Sequence, residues 1–282
     1  MVKVKREYVL GAAVCTVLAV ALSITSFATE NWVQADIKPV NAEVSTQKSH
    51  VKYGLFNGVY TQRLDSASGE SFIITMTCVF GENSCAMLCR DTADQRVSEL
   101  EDLINGKPVL DWQCNFVVPK SHGISVIRAD PNRFRAASSE RVFLDAACYL
   151  ATIIFLSVSI VLGIGSAALL IWNVAGNPVQ TLFSIYSIYY YVGAAAVSIL
   201  VAIIVWGALF AASIVENIGI LVTLNGTMKY EGNPILDYSY WLNLGSLFLY
   251  LTSFGLLMTR KYLMDNENLI MHNINQGNQV IF

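Results

Sequence analysis

The sequence predicts a membrane all-α bundle of four helices, with a small disulfide-tied α+β extracellular domain between the first and second helices. Three observations predict it. Hydrophobic residues make up 54% of the chain and charged ones 14%, with a mean hydropathy of +0.49, a balance that fits an integral membrane protein. Residues 146–215 contain no formally charged side chain. The one long polar stretch, 29–141, holds 12 of the 18 Lys and Arg residues and four of the six cysteines. A net charge of -3 leaves no nucleic-acid footprint.

Residues 1–7 (MVKVKRE) are basic and read as a cytoplasmic N-terminus. Residues 8–27 carry no formal charge, and a helix of that length crosses the roughly 30 Å hydrocarbon layer as a first span. The competing reading is a cleaved signal peptide, with Ser26 and Ala28 at a cleavage-like spacing. Signal h-regions run only about 7–15 residues, which favours a retained helix. Both readings export the next stretch, 28–142, as an extracellular domain. Within it 51–60 (VKYGLFNGVY), 71–80 (SFIITMTCVF) and 109–118 (VLDWQCNFVV) have β-like composition. Residues 88–104 fit a helix, because Val97, Leu100, Leu103 and Ile104 recur at three- and four-residue spacings between charges. Residues 105–108 (NGKP) end it in a turn.

The long uncharged region exceeds one crossing and requires a hairpin. Turn formers at 173–180 mark a cytoplasmic turn, with a second span over 143–172 and a third over 181–215. Both are long enough to tilt. Gly163, Gly165, Gly193 and Gly207 are expected to let helices approach closely. Tyr186, Tyr189, Tyr190 and Tyr191 have the composition of an interfacial aromatic belt. A second extracellular loop over 216–240, a fourth span over 241–259 and a polar cytoplasmic tail over 260–282 follow. Positive charge flanks the first span on its N-terminal side and the fourth on its C-terminal side, which puts both termini in the cytoplasm.

Cys78, Cys85, Cys89 and Cys114 share the exported stretch, and four thiols in an oxidising compartment form up to two disulfides in three connectivities. If 88–104 is helical, Cys89 lies on its first turn, where a bond to a β segment would pin helix to sheet. A four-cysteine zinc site is the weaker alternative, since the spacing lacks paired short knuckles. Cys15 and Cys148 read as free thiols of the membrane core. Asn225-Gly226-Thr227 is an N-glycosylation acceptor in the second loop. Val280-Ile281-Phe282 has the hydrophobic-x-hydrophobic form of a PDZ ligand, the alternative being an unremarkable tail. Asp145 and Glu216 read as solvated carboxylates near span ends. None of the three histidines stands at a metal-binding spacing, and no P-loop, G-x-S-x-G or C-x-x-C is present. No residue is nominated for catalysis, and no cofactor is expected.

A large first loop among four spans, with a Trp soon after the first helix and then a Gly-Leu-aromatic element, resembles the claudin-like superfamily. Trp32 and Gly54-Leu55-Phe56 stand in those places. Tetraspanins differ, with their large loop between spans three and four. Within the superfamily the chain resembles clarins. Tyr53-Gly54-Leu55-Phe56-Asn57-Gly58 is similar to their YGLFxG, and Gly176, Pro178, Thr181 and Leu182 fall in a G-x-P-x-x-T-L between spans two and three. The resemblance covers the spans by order and spacing and these two motifs residue by residue. Clarins carry a cysteine soon after YGLF, where Arg63-Leu64-Asp65 stands here, and 61–140 is expanded. Their glycan acceptor lies in the first loop, so neither disulfides nor glycan transfer.

The resemblance implies a non-enzymatic plasma-membrane organiser or adaptor of sensory cells. Its partners would be the lipid bilayer, other membrane proteins, PDZ scaffolds and actin-linked proteins. The alternative is an auxiliary subunit of an ion channel, including a mechanosensory one.

Overall fold

The structure, a computed structural model, describes residues 2–39, 49–64, 67–107, 142–175, 185–224, 228–230 and 234–279. Long apolar runs become helices because hydrocarbon offers the backbone no partner, so each N–H must bond within its own segment. The helices are α1 (Val2–Ala28), α2 (Ala93–Ile104), α3 (Ala146–Ala175), α4 (Ile185–Leu209), α5 (Leu221–Leu224) and α6 (Tyr238–Gln279). Four segments are long and apolar enough to cross a membrane: Arg6–Ala28, Ala146–Ala175, Ser187–Ile214 and Tyr238–Glu267. The third includes a π-helical turn, Phe210–Ile214, that closes α4. The fourth departs most from expectation. Residues 260–279, read as a polar tail, continue α6 to 42 residues, about 63 Å at about 1.5 Å per residue. Leu, Met, Lys and Glu are good helix formers, and no proline interrupts them.

The chain divides into two units. The first comprises Met1–Thr25, Ile154–Ala202 and Leu242–Phe282. Hydroxyl pairs join α1 to α6 here: Thr16 to Ser253 at 2.8 Å and Ser23 to Ser246 at 2.7 Å, all four fully buried. Ser246 and Ser253 also donate to the carbonyls of Ala19 and Ala12. Thr16 and Ser23, like Ser246 and Ser253, are seven residues apart, the spacing that keeps a seam on one face of packed antiparallel helices. Such bonds are each worth about 0.6 kcal/mol in membranes. Gly163 fits the small-residue expectation, since a Cβ there would meet the Tyr250 hydroxyl and lie 2.7 Å from Val20 Cγ2, whereas Gly165 has nothing within 4 Å. The tyrosines of the expected belt differ in exposure. Tyr189 is buried and donates to the Leu257 carbonyl, while Tyr190 is exposed.

The second unit comprises Ser26–Ile153 and Ile203–Trp241 and holds one antiparallel sheet. Its strands are β1 (Val33–Pro39), β2 (Ser49–Tyr53), β3 (Asn57–Leu64), β4 (Ala67–Val79), β5 (Ser84–Leu88), β6 (Leu144–Asp145), β7 (Met228–Tyr230) and β8 (Ile235–Leu236). They lie in the order β6-β5-β4-β3-β2-β1-β7, with β8 also paired to β1. In β1 the buried Val33, Ala35 and Ile37 alternate with Gln34, Asp36 and Lys38, the period of a half-buried strand.

Three sequence expectations change. The 51–60 strand is two strands folded at Gly54–Phe56, where Gly54 N–H donates to the Asn57 carbonyl. The 88–104 helix begins only at Ala93, because Thr92 caps it by accepting from Gln95 N–H, and Leu88 ends β5. The sheet is not confined to 28–142: Leu144-Asp145 joins one end, and Met228–Tyr230 and Ile235–Leu236 from the second loop pair with β1. Open strand edges carry unpaired N–H and C=O groups, and these short strands cover them. The 109–118 strand lies outside the described residues.

Helix α2 and α5 cover one face of β5, where Ala86, Leu88, Leu100, Leu103, Leu221 and Leu224 form a buried cluster. Met87 N–H donates to the Gly219 carbonyl at 2.7 Å, which brings the segment after the π turn alongside β5.

Candidate functional site

Trp32 and the Tyr53–Gly58 motif form a frame within the second unit. Trp32, 1% exposed, donates its indole N–H to the Ser26 carbonyl at 2.8 Å. Its ring lies edge-on to Trp206 at 5.0 Å and to Tyr240 at 6.3 Å. Its backbone accepts from Asp237 N–H and donates to the Tyr53 carbonyl. Tyr53, fully buried, sends its hydroxyl to the Ile218 carbonyl at 2.9 Å. Leu55 is buried, and its carbonyl accepts the Tyr149 hydroxyl at 2.8 Å. Trp32 and Tyr53-Gly54-Leu55 thus reach the end of α1, the start of α3, α4 and the start of α6.

The two motif glycines are required by close approach. A Cβ on Gly54 would strike the Thr29 carbonyl oxygen and lie 2.9 Å from Glu30 Cα. A Cβ on Gly58 would strike Tyr53 Cβ and lie 2.6 Å from the Lys52 carbonyl oxygen. These neighbours are mostly backbone, which cannot rotate aside. Phe56 differs from the others in being 40% exposed.

Cys78 and Cys85 face each other across β4 and β5 and are joined by a disulfide. Cys89 is disulfide-bonded as well, from the connection after β5 rather than from a helix turn. Cys15 and Cys148 are free. Closing a loop this short restricts the unfolded chain by about 2–3 kcal/mol. Replacing both Cys78 and Cys85 by Ser is therefore expected to lower folding stability by about that amount, read from denaturant unfolding in mild detergent. The same variant under reducing conditions should show no further loss at this pair.

Asp145 stays open to solvent at the end of a span, as its position suggests, and has a second role. It caps α3, accepting from Cys148 N–H at 2.7 Å and from the Asn83 side-chain amide at 2.7 Å. Asn83, held at φ +47° in the β4–β5 turn, returns its side-chain oxygen to Ala147 N–H. The Cys148 N–H, joined by the Asn83 amide, holds the Asp145 carboxyl below its ordinary range despite some desolvation. A depressed folded-state value stabilises above the ordinary carboxylate range and loses that contribution as pH falls through the folded value. Asp145→Ala should cost about 1 kcal/mol at pH 7, and the gap from the parent should close in strong acid, as read by thermal unfolding across pH.

A buried ion pair lies beneath α2. Arg90 Nε donates to Glu99 Oε1 at 3.2 Å, and Glu99 Oε2 has no partner among the described residues. Burial pushes the Glu99 carboxyl up against the opposing pull of Arg90. Among the described residues no three His, Cys, Asp or Glu side chains gather to hold a metal. Cys114, Asn225, Gly176, Pro178, Thr181, Leu182 and Val280-Ile281-Phe282 lie outside the described residues.

Sequence reasoning missed Asn83, Tyr149, Trp206 and the serine seam. Only the last had a signal, the seven-residue recurrence of Ser239, Ser246 and Ser253. No family model and no curated protein matches the chain.

Proposed function

We propose that this chain is a clarin-like, claudin-type tetraspan of the plasma membrane, with both termini cytoplasmic, acting as a non-enzymatic organiser of partner membrane proteins. The observation that carries this reading is the frame of Trp32, Tyr53, Gly54 and Leu55. Its indole N–H, hydroxyl and carbonyls are all engaged inside the protein. Such a frame makes a stiff stand for the sheet and leaves the outward side chains of β1–β4 for contact. The disulfide-bonded cysteines suit an exported domain, since such bonds persist in oxidising compartments. Hydroxyls buried among apolar helix residues join α1 to α6, which accounts for that polarity by packing alone.

On this reading, partners are held by the sheet domain, and the C-terminal Val280-Ile281-Phe282 connects to a scaffold that reaches actin. The test is affinity purification of the full chain in mild detergent. Recovery of scaffold and cytoskeletal proteins together with other membrane proteins is the expected result. A stoichiometric pore-forming partner would point instead to a channel's auxiliary subunit. Selective ion flux from the purified chain in liposomes would overturn both readings.

A further inference from the structure

Four exposed aromatic side chains of the second unit are each held beside the first or last turn of an apolar helix. Phe56, in the β2–β3 turn, lies edge-on to Phe27 at 5.1 Å, and Phe27 belongs to the last turn of α1. Phe80, 60% exposed, opens the β4–β5 turn. That turn is fastened to α3, because Asn83 donates its N–H to the Phe80 carbonyl and its side chain to Asp145, the cap of α3. Tyr238 and Trp241, 48% and 54% exposed, stand on the first turn of α6.

Their spacing favours lipid over a protein partner. Met76 N–H donates to the Phe56 carbonyl, so Phe80, four strand residues further on, stands about 13 Å away. A protein partner is held by clustered anchors in one pocket. Single rings set apart, each beside a different helix end, suit instead the boundary at which apolar helices leave hydrocarbon. Exposed side chains on the helices of this unit, such as Leu150 of α3 and Ile204 of α4, are apolar too, which suits hydrocarbon. Aromatic rings favour the membrane–water boundary, and a bare phenylalanine at a turn tip gains by leaving water.

We propose that Phe56 and Phe80 are membrane anchors. The β2–β3 and β4–β5 turns dip into the boundary between headgroups and acyl chains, level with Tyr238 and Trp241, and set the height of the sheet over the bilayer. This rests on the tetraspan reading above, and the test separates the two. Ile73 serves as the internal control. It is 73% exposed, but it lies mid-strand opposite Val59 and away from both turns.

The test reconstitutes the full chain in phosphatidylcholine nanodiscs doped with a photoactivatable phospholipid. The diazirine is carried near the glycerol in one preparation and near the acyl terminus in another, and cross-links are assigned to residues by mass spectrometry. The shallow probe should label Phe56, Phe80 and Trp241 and spare Ile73, and the deep probe should label Phe248 and Val158. Phe80→Asp should lose labelling at the β4–β5 turn, whereas Phe80→Leu should keep it, with the Cys78–Cys85 bond intact in both as the sign of folding. If the deep probe labels the helices while neither probe labels Phe56 or Phe80 in disulfide-intact protein, the anchors are refuted and the tetraspan reading stands. Burial of those rings against a second copy or another protein would refute them equally. If no helix residue is labelled by either probe, the tetraspan reading itself fails.

Discussion

Trp32→Ala is expected to cost about 3–5 kcal/mol of folding stability, the range for removing a buried Trp or Phe from a packed core. The side chain is 1% exposed and lies against the rings of Trp206 and Tyr240. Truncation leaves a cavity beside three chain segments and removes the indole bond to the Ser26 carbonyl, which Thr29 Oγ1 still reaches at 3.3 Å. Trp32→Phe separates these effects. It keeps most of the ring contact and loses one hydrogen bond to a carbonyl that keeps the Thr29 hydroxyl, so about 0.5–1.5 kcal/mol should be lost. Ile73→Ala, at an exposed position, should stay within about 0.5 kcal/mol of the parent. Denaturant unfolding in mild detergent ranks the three. Equal losses for Trp32→Ala and Ile73→Ala would remove Trp32 from the frame.

Gly54→Ala should be the next most damaging single change, about 3 kcal/mol or slightly more, at the upper end of overpacking costs. The added methyl would overlap the Thr29 carbonyl oxygen and crowd Glu30 Cα, atoms of the main chain that follow the end of α1. Relief requires moving the β2–β3 turn, and that turn carries Leu55, whose carbonyl accepts the Tyr149 hydroxyl. Loss of cell-surface delivery should accompany the loss of stability. Gly81→Ala is the matched control, since a Cβ there meets nothing within 4 Å. A Gly54→Ala protein as stable as Gly81→Ala would mean that the close approach at Gly54 is not a constraint.

The apolar helices were legible because uninterrupted hydrophobic length is read directly from the chain. The end of α6 was not, because 260–279 has mixed polarity and no apolar run to announce a helix. Strands were legible where β-branched and aromatic residues cluster, as at Phe72, Ile73 and Ile74. They were missed at Val33–Pro39, despite its alternation, and also where the strand is short or nearly continuous in burial. Ser84–Leu88 is an example, with Cys85 through Leu88 all fully buried between neighbours on both faces. Sheet membership of Met228–Tyr230 and Ile235–Leu236 depends on contacts about two hundred residues away, which local pattern does not encode.

At the site, Trp32 and Gly54 were found by resemblance, and only geometry supplied the reason each residue type is needed. Asp145 was found as a solvated carboxylate, and its capping role was missed. A carboxylate just before an apolar helix can be solvated and a cap at once, and Asn83, which shares the cap, is 62 positions away.

The central claim is that a sheet domain exported across the membrane, tied by its own disulfides, is held by the Trp32 and Gly54 frame. Mass spectrometry of the unreduced full chain recovered from cells tests it most directly. The expected map joins Cys78 to Cys85 and places Cys89 in a second disulfide, with Cys15 and Cys148 alkylated as free thiols. Free thiols at Cys78, Cys85 and Cys89, or a disulfide that includes Cys15 or Cys148, would contradict it.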